Sequence, residues 1–113
     1  MQKSILNSIK KLLGISEDYT HFDADIIMHI NSVFMILTQM GVGPADGFAI
    51  DDAEMEWEDF ISDETQLQAV KSYMHHKVKL LFDPPLSSAV MESTNRIISE
   101  LEWRLNVAAE SKE

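Results

Sequence analysis

The chain has 113 residues, 45% of them hydrophobic, with 19 acids against nine bases, a formal net charge of −10 and no cysteine. That length and apolar content suit one domain, residues 1–113, with a modest core; the lack of cysteine excludes disulfides and thiolate metal sites. The charge disfavours specific binding of nucleic acid, because between Lys11 and Lys71 there is no Lys or Arg while Asp46, Asp51, Asp52, Glu54, Glu56, Glu58, Asp59, Asp63 and Glu64 crowd one stretch that repels phosphate.

Met1-Gln2-Lys3-Ser4 leads into an amphipathic segment and not into the apolar core of a secretion signal. No apolar run reaches bilayer length, so no membrane partner is expected. Ile5, Ile9, Leu12 and Leu13 have helical spacing and Gly14 can close that helix in a left-handed cap, which predicts a first helix over residues 3–13 with a basic edge of Lys3, Lys10 and Lys11. Thr20 and Asp23 resemble a capping box ahead of the strongest periodic segment. Its stripe is Ile26, Ile30, Val33, Leu37 and Met40, widened by Ile27 and Phe34. The second helix should occupy residues 22–40, stopped by Gly41, Gly43 and Pro44.

Between Asp46 and Glu64 the pattern is an acidic loop with apolar anchors. Phe48 and Ile50 alternate as in a short strand, whereas Trp57, Phe60 and Ile61 fit one helical turn. Ser62 is the expected N-cap of a third helix over residues 63–82, with Asp63 and Glu64 in its first turn and a stripe of Leu67, Val70, Met74, Val78 and Leu81. Pro84-Pro85 ends it. Ser87 or Ser88 caps a fourth helix over residues 87–108, where Met91, Thr94, Ile98, Leu101 and Leu105 repeat at near-heptad spacing. The expected fold is therefore all-α, a small four-helix bundle with an acidic insertion between its second and third helices. Met28, Met35 and Ile36 flank the main stripe of the second helix, and Val90, Ile97 and Trp103 that of the fourth, so apolar surface is expected to remain for association.

Chemistry is sparse. His21, Asp25 and His29 are spaced by four and could share a helix face as metal ligands, but a solvated polar column is the commoner origin of such spacing and no metal is expected. His75 and His76 are adjacent, point in different directions on a helix and read as surface residues. Gly41-Val42-Gly43-Pro44 lacks the strand that a phosphate loop needs, and Ser87-Ser88 have no neighbouring base. No carboxylate pair stands out as acid and base, so neither an enzyme nor a cofactor is expected. Trp57 and Trp103 suit a core or an interface equally.

The stretch from His21 to Ser32 with Gly41-Val42-Gly43-Pro44 after it resembles the head-tail connector (adaptor) proteins of long-tailed phages of Gram-positive bacteria. Val70-Lys71-Ser72-Tyr73, then Lys77 to Pro85, then Glu100-Leu101-Glu102-Trp103-Arg104-Leu105-Asn106 are similar to that family's later helices and the proline break between them. The resemblance covers residues 6–109. It implies a structural subunit of the virion neck, made in the host cytoplasm, that joins the portal protein to a downstream stopper or tail-completion protein. It further implies a homo-oligomeric ring, on the order of twelve copies by analogy with cyclic symmetry, through which DNA passes without specific binding. The candidate partner contacts are Asp51, Asp52, Glu54, Glu56 and Trp57 in the loop and Trp103 and Arg104 on the fourth helix, which with its tail is the end expected to meet the portal. A small acidic regulator that binds one protein partner is the alternative.

Overall fold

The computed structural model describes residues 3–110. Five helices follow one another: α1 (Ile5–Leu12), α2 (Asp23–Gln39), α3 (Trp57–Phe60), α4 (Glu64–Phe82) and α5 (Ser88–Glu110). The all-α expectation holds, and the four expected helices are present with one addition. The short α3 lies inside the acidic segment, where Trp57, Phe60 and Ile61 had the spacing of one turn. There is no strand among the described residues; Phe48 and Ile50 are anchors of an irregular loop, and pairing is limited to an isolated antiparallel bridge between Ser4 and Glu56.

The helix ends follow local chemistry, with two departures from expectation. Ser4 caps α1 by accepting from the Asn7 N–H, and Gly14, at φ +81°, turns the chain out of it. Asp63, and not Ser62, caps α4: its Oδ1 accepts from the N–H groups of Thr65 and Gln66. A carboxylate does this better than a hydroxyl because its full charge also meets the helix dipole. The Thr20–Asp23 capping box does not form, and Phe22 stands at the N-cap of α2 with no side-chain cap. The Asp23 carboxylate is turned instead toward Lys10 Nζ, 2.8 Å away. Ser87 accepts from the Val90 N–H and starts α5.

One core unites the elements. Ile26, Ile30, Val33, Phe34 and Leu37 of α2 face Val70, Met74 and Val78 of α4, and Ile5, Leu6 and Ile9 of α1 close the third side. Phe34 packs at a tilt against Phe60 and edge-on against Phe48, with ring centroids 4.7 and 5.0 Å apart. The expectation for α1 is corrected in its last turn: Leu12 of the stripe is half exposed, and Lys10, expected on a basic edge, is fully buried. Lys10 can lie inside because its ammonium donates to the carbonyls of Glu17 and Tyr19 and its charge is paired with the Asp23 carboxylate. At the C-terminal end of the α4 stripe Leu81 is exposed, while Tyr73, outside the expected stripe, is buried. Helix α4 packs against both α2 and α5. Those two scarcely touch, approaching where a Cβ on Gly41 would lie 3.5 Å from Ala109.

Candidate interaction surfaces

The acidic segment is pinned at several points, and this sorts its side chains. Asn31, in mid-α2, grips it with both atoms of its amide: Nδ2 donates to the Ile50 carbonyl (2.9 Å) and Oδ1 accepts from the Ile50 N–H (2.8 Å). Farther on, the Ile5 N–H donates to the Met55 carbonyl and the Trp57 N–H to the Lys3 carbonyl, tying the segment to the start of α1. Ile50, Trp57 and Phe60 are buried and Phe48 packs against Phe34 and Phe60. The opposite side carries Asp51, Asp52, Glu54 and Glu58, all exposed. None of these four makes an ion pair within the chain among the described residues. The field they project reaches about 8 Å into physiological salt, and it repels a phosphate backbone.

Glu56 is less free than its neighbours. Its backbone N–H donates to the Asp59 carboxylate at the start of α3, and its residue forms the bridge to Ser4, so it is half-buried. Trp57 lies in the core, where its indole N–H donates to Ser8 Oγ at 3.0 Å and the Lys71 ammonium sits 5.7 Å from the ring. Trp103, by contrast, is 65% exposed on α5, next to Arg104, whose guanidinium pairs with Glu100 one turn back. The seven candidate contacts therefore divide into an outward loop cluster, two residues at the root of the loop, and a separate α5 pair. Asn31 and Lys10 are positioning residues: spacing gave Asn31 no role and placed Lys10 on a basic edge of α1, whereas the structure buries it.

A third surface lies where the α1–α2 loop meets the end of α4. Tyr19, His21 and Phe22 form a tilted aromatic cluster, and Phe22 meets Phe82 edge-on at 5.4 Å. Lys10 holds this loop in place through the two carbonyls it binds. Beside it is an open cleft of about 470 Å³ bordered by Asp25, Met28, His29 and Leu81. Leu86, at the tip of the proline turn, is fully exposed.

His21 and Asp25 are exposed and His29 is half-buried; among the described residues no group of three His, Asp or Glu side chains is arranged to hold a metal ion. His75 and His76 are half-buried and not the surface pair expected, with ring centroids 5.0 Å apart. Burial, then His76, then Lys79 depress the His75 pKa, each disfavouring the charged ring. Tyr73 donates its hydroxyl to Glu102 at 2.7 Å, and burial followed by that carboxylate raises its pKa far above the ordinary 10. This bond locks α5 to α4. No helix among the described residues is long and apolar enough to cross a membrane. Comparison with known proteins finds a match to one family model, described as phage connector protein, over residues 5–112. No curated protein and no solved structure matches.

Proposed function

The chain belongs to the phage connector protein family, and we propose that it assembles as a ring beneath the portal vertex, joining the DNA-filled head to the tail and continuing the DNA channel. Family membership over nearly the whole chain carries the reading. The surfaces fit it in chemical terms. A conduit for DNA has to avoid adhering to it, and Asp51, Asp52 and Glu54 present unpaired negative charge on a loop that Asn31 and the start of α1 hold still. We assign this cluster to the channel side or to the next tail component. The exposed end of α5, with Trp103 and Arg104, is assigned to the portal side. Trp57 supports the loop from within.

The test is co-sedimentation of the purified protein with tailless, DNA-filled capsids that lack it, followed by imaging of the vertex. A ring seated on the portal is the expected result. Failure to bind an intact portal vertex refutes the connector role and leaves a regulator that binds a single protein partner. The channel assignment is tested separately by replacing Asp51, Asp52 and Glu54 with Asn or Gln. Asn at position 52 keeps the Oδ1 that accepts from the Glu54 N–H, so the loop should hold its shape while losing its charge. Slowed DNA ejection or failed tail joining is expected; an unchanged phage titre counts against the assignment.

A further inference from the structure

A buried cation fastens the segment between α1 and α2 to the body of the subunit. Lys10, in the last turn of α1, donates to the carbonyls of Glu17 at 3.1 Å and Tyr19 at 2.8 Å, and its ammonium lies 2.8 Å from Asp23 Oδ1. This arrangement leaves two local needs unmet, both at Asp23. Oδ1 is buried and accepts no well-aligned hydrogen bond among the described residues, so its contact with Lys10 is an ion pair alone. Helix α2 begins at the same residue with no side-chain cap, Phe22 standing at its N-cap. The unpaired N–H groups of a helix start are a stabilising place for a carboxylate, and Asp23 is not used there. One movement would meet both needs. Thr20 stands three residues before Asp23, and the Asp23 N–H already donates to the Thr20 carbonyl at 3.2 Å. Extending α2 back by one turn makes Thr20 its N-cap: Thr20 Oγ1 accepts from the Asp23 N–H, and the Asp23 carboxylate, released from Lys10, accepts from the Thr20 N–H.

We infer that residues 14–22 are a hinged strap with two states: a latched one, in which Asp23 pairs with Lys10, and an open one, in which Asp23 caps a longer α2 and Lys10 reaches water. The hinge is Gly14, which has φ +81° and nothing within 4 Å of a would-be Cβ. Little apolar burial opposes release, since Ser16 to Phe22 are all exposed and Ile15 is only partly buried against the core. A segment with so few buried contacts opens at less than the cost of global unfolding. Tyr19, His21 and Phe22 ride on the strap, so opening separates Phe22 from Phe82 and takes apart the aromatic surface beside the cleft at Asp25 and His29. That surface exists only in the latched state, and Lys10 decides whether a partner meets it. The inference does not depend on the ring reading.

The Lys10 amine reports the opening directly. The full-length protein is treated with an acetylating N-hydroxysuccinimide ester to a low extent of reaction, and acylation of Lys10 and Lys11 is followed by peptide mass spectrometry. Lys11, exposed and one residue on, gives the rate of a free amine. Amide exchange at the buried Val33 and Val78 gives the globally unfolded population, and that population multiplied by the Lys11 rate is the ceiling set by global unfolding. Lys10 is expected to react more slowly than Lys11 and well above this ceiling. The exposed Thr20 hydroxyl has no hydrogen bond in the latched state among the described residues, so Thr20→Ala removes a cap from the open state alone and should slow Lys10 acylation by about fivefold. Thr20→Ser keeps the cap and should leave the rate near that of the parent, with circular dichroism checking that both variants fold. Lys10 acylation at the ceiling, or a rate that is unchanged or raised in Thr20→Ala, overturns the two-state strap.

Discussion

Replacing Gly43 by Ala tests the rigidity of the junction between α2 and the acidic loop. Gly43 has φ +86°, and a Cβ there would overlap Cε1 of Phe60 and lie 2.6 Å from its Cζ. Phe60 cannot easily yield, because it is 3% exposed and its ring is wedged between Phe34 at 4.7 Å and Phe48 at 5.3 Å. Left-handed backbone costs an L-residue about 1–2 kcal/mol, and forcing extra volume into a packed core adds about 1–3 kcal/mol. Against these, Ala lowers the entropy of the unfolded chain, returning about 0.4–1 kcal/mol. The net expectation is a loss of about 2–4 kcal/mol. Gly14 supplies the internal control, since it has φ +81° with nothing within 4 Å of its would-be Cβ, so Gly14→Ala should cost only about 1 kcal/mol. Urea denaturation followed by far-ultraviolet circular dichroism measures both, with unchanged m-values confirming that the native and denatured states are comparable. Trimming the ring in a Phe60→Leu background should shrink the Gly43→Ala penalty toward that of Gly14→Ala. Equal costs for the two glycine variants in the parent chain would refute the claim that Phe60 is held fast.

Lys10→Met removes the cation that satisfies two loop carbonyls and the Asp23 carboxylate, and should cost about 3 kcal/mol by denaturation, partly recovered in the Lys10→Met/Asp23→Asn double variant. Tyr73→Phe deletes the hydrogen bond to Glu102 and should cost about 1–2 kcal/mol, with faster amide exchange along α5 than along α2. The same tyrosine should resist ionisation in an alkaline spectrophotometric titration until the protein unfolds. His75 is disfavoured as a cation in the folded state, so the unfolded chain binds more protons near and just below its ordinary pKa of 6.5. Its contribution to stability is therefore fully present above pH 6.5 and is lost as the pH falls below that value toward the lowered folded-state pKa, a slope that His75→Gln should reduce in urea midpoints measured across the range.

Local chemistry made much of this fold legible. The 3.6-residue spacing in α2 and α4 identified their inward stripes, with Val70, Met74 and Val78 meeting the α2 core. Gly14 and the proline pair marked helix ends, because backbone conformation at those residues depends on their own covalent structure. The uncovered residues Met28, Met35, Val90, Ile97 and Trp103 were also visible as flanks of those stripes. The site was legible as a charge block, but its support was not. Periodicity says nothing of Asn31, whose amide matches the Ile50 peptide 19 residues away.

Sequence by itself thus determined the helical class, the main stripes and the acidic character of the insertion, all of which arise from near neighbours along the chain. Tertiary structure decided which of two chemically similar residues went inside. Trp57 is buried and Trp103 is not; Lys10 is buried and Lys11 is not. Burying either Lys10 or Trp57 depends on partners brought from elsewhere in the fold, the Glu17 and Tyr19 carbonyls with Asp23 for the one and Ser8 Oγ for the other. Desolvating a polar group is tolerable only where such partners converge, and convergence is a property of packed helices rather than of spacing along one of them.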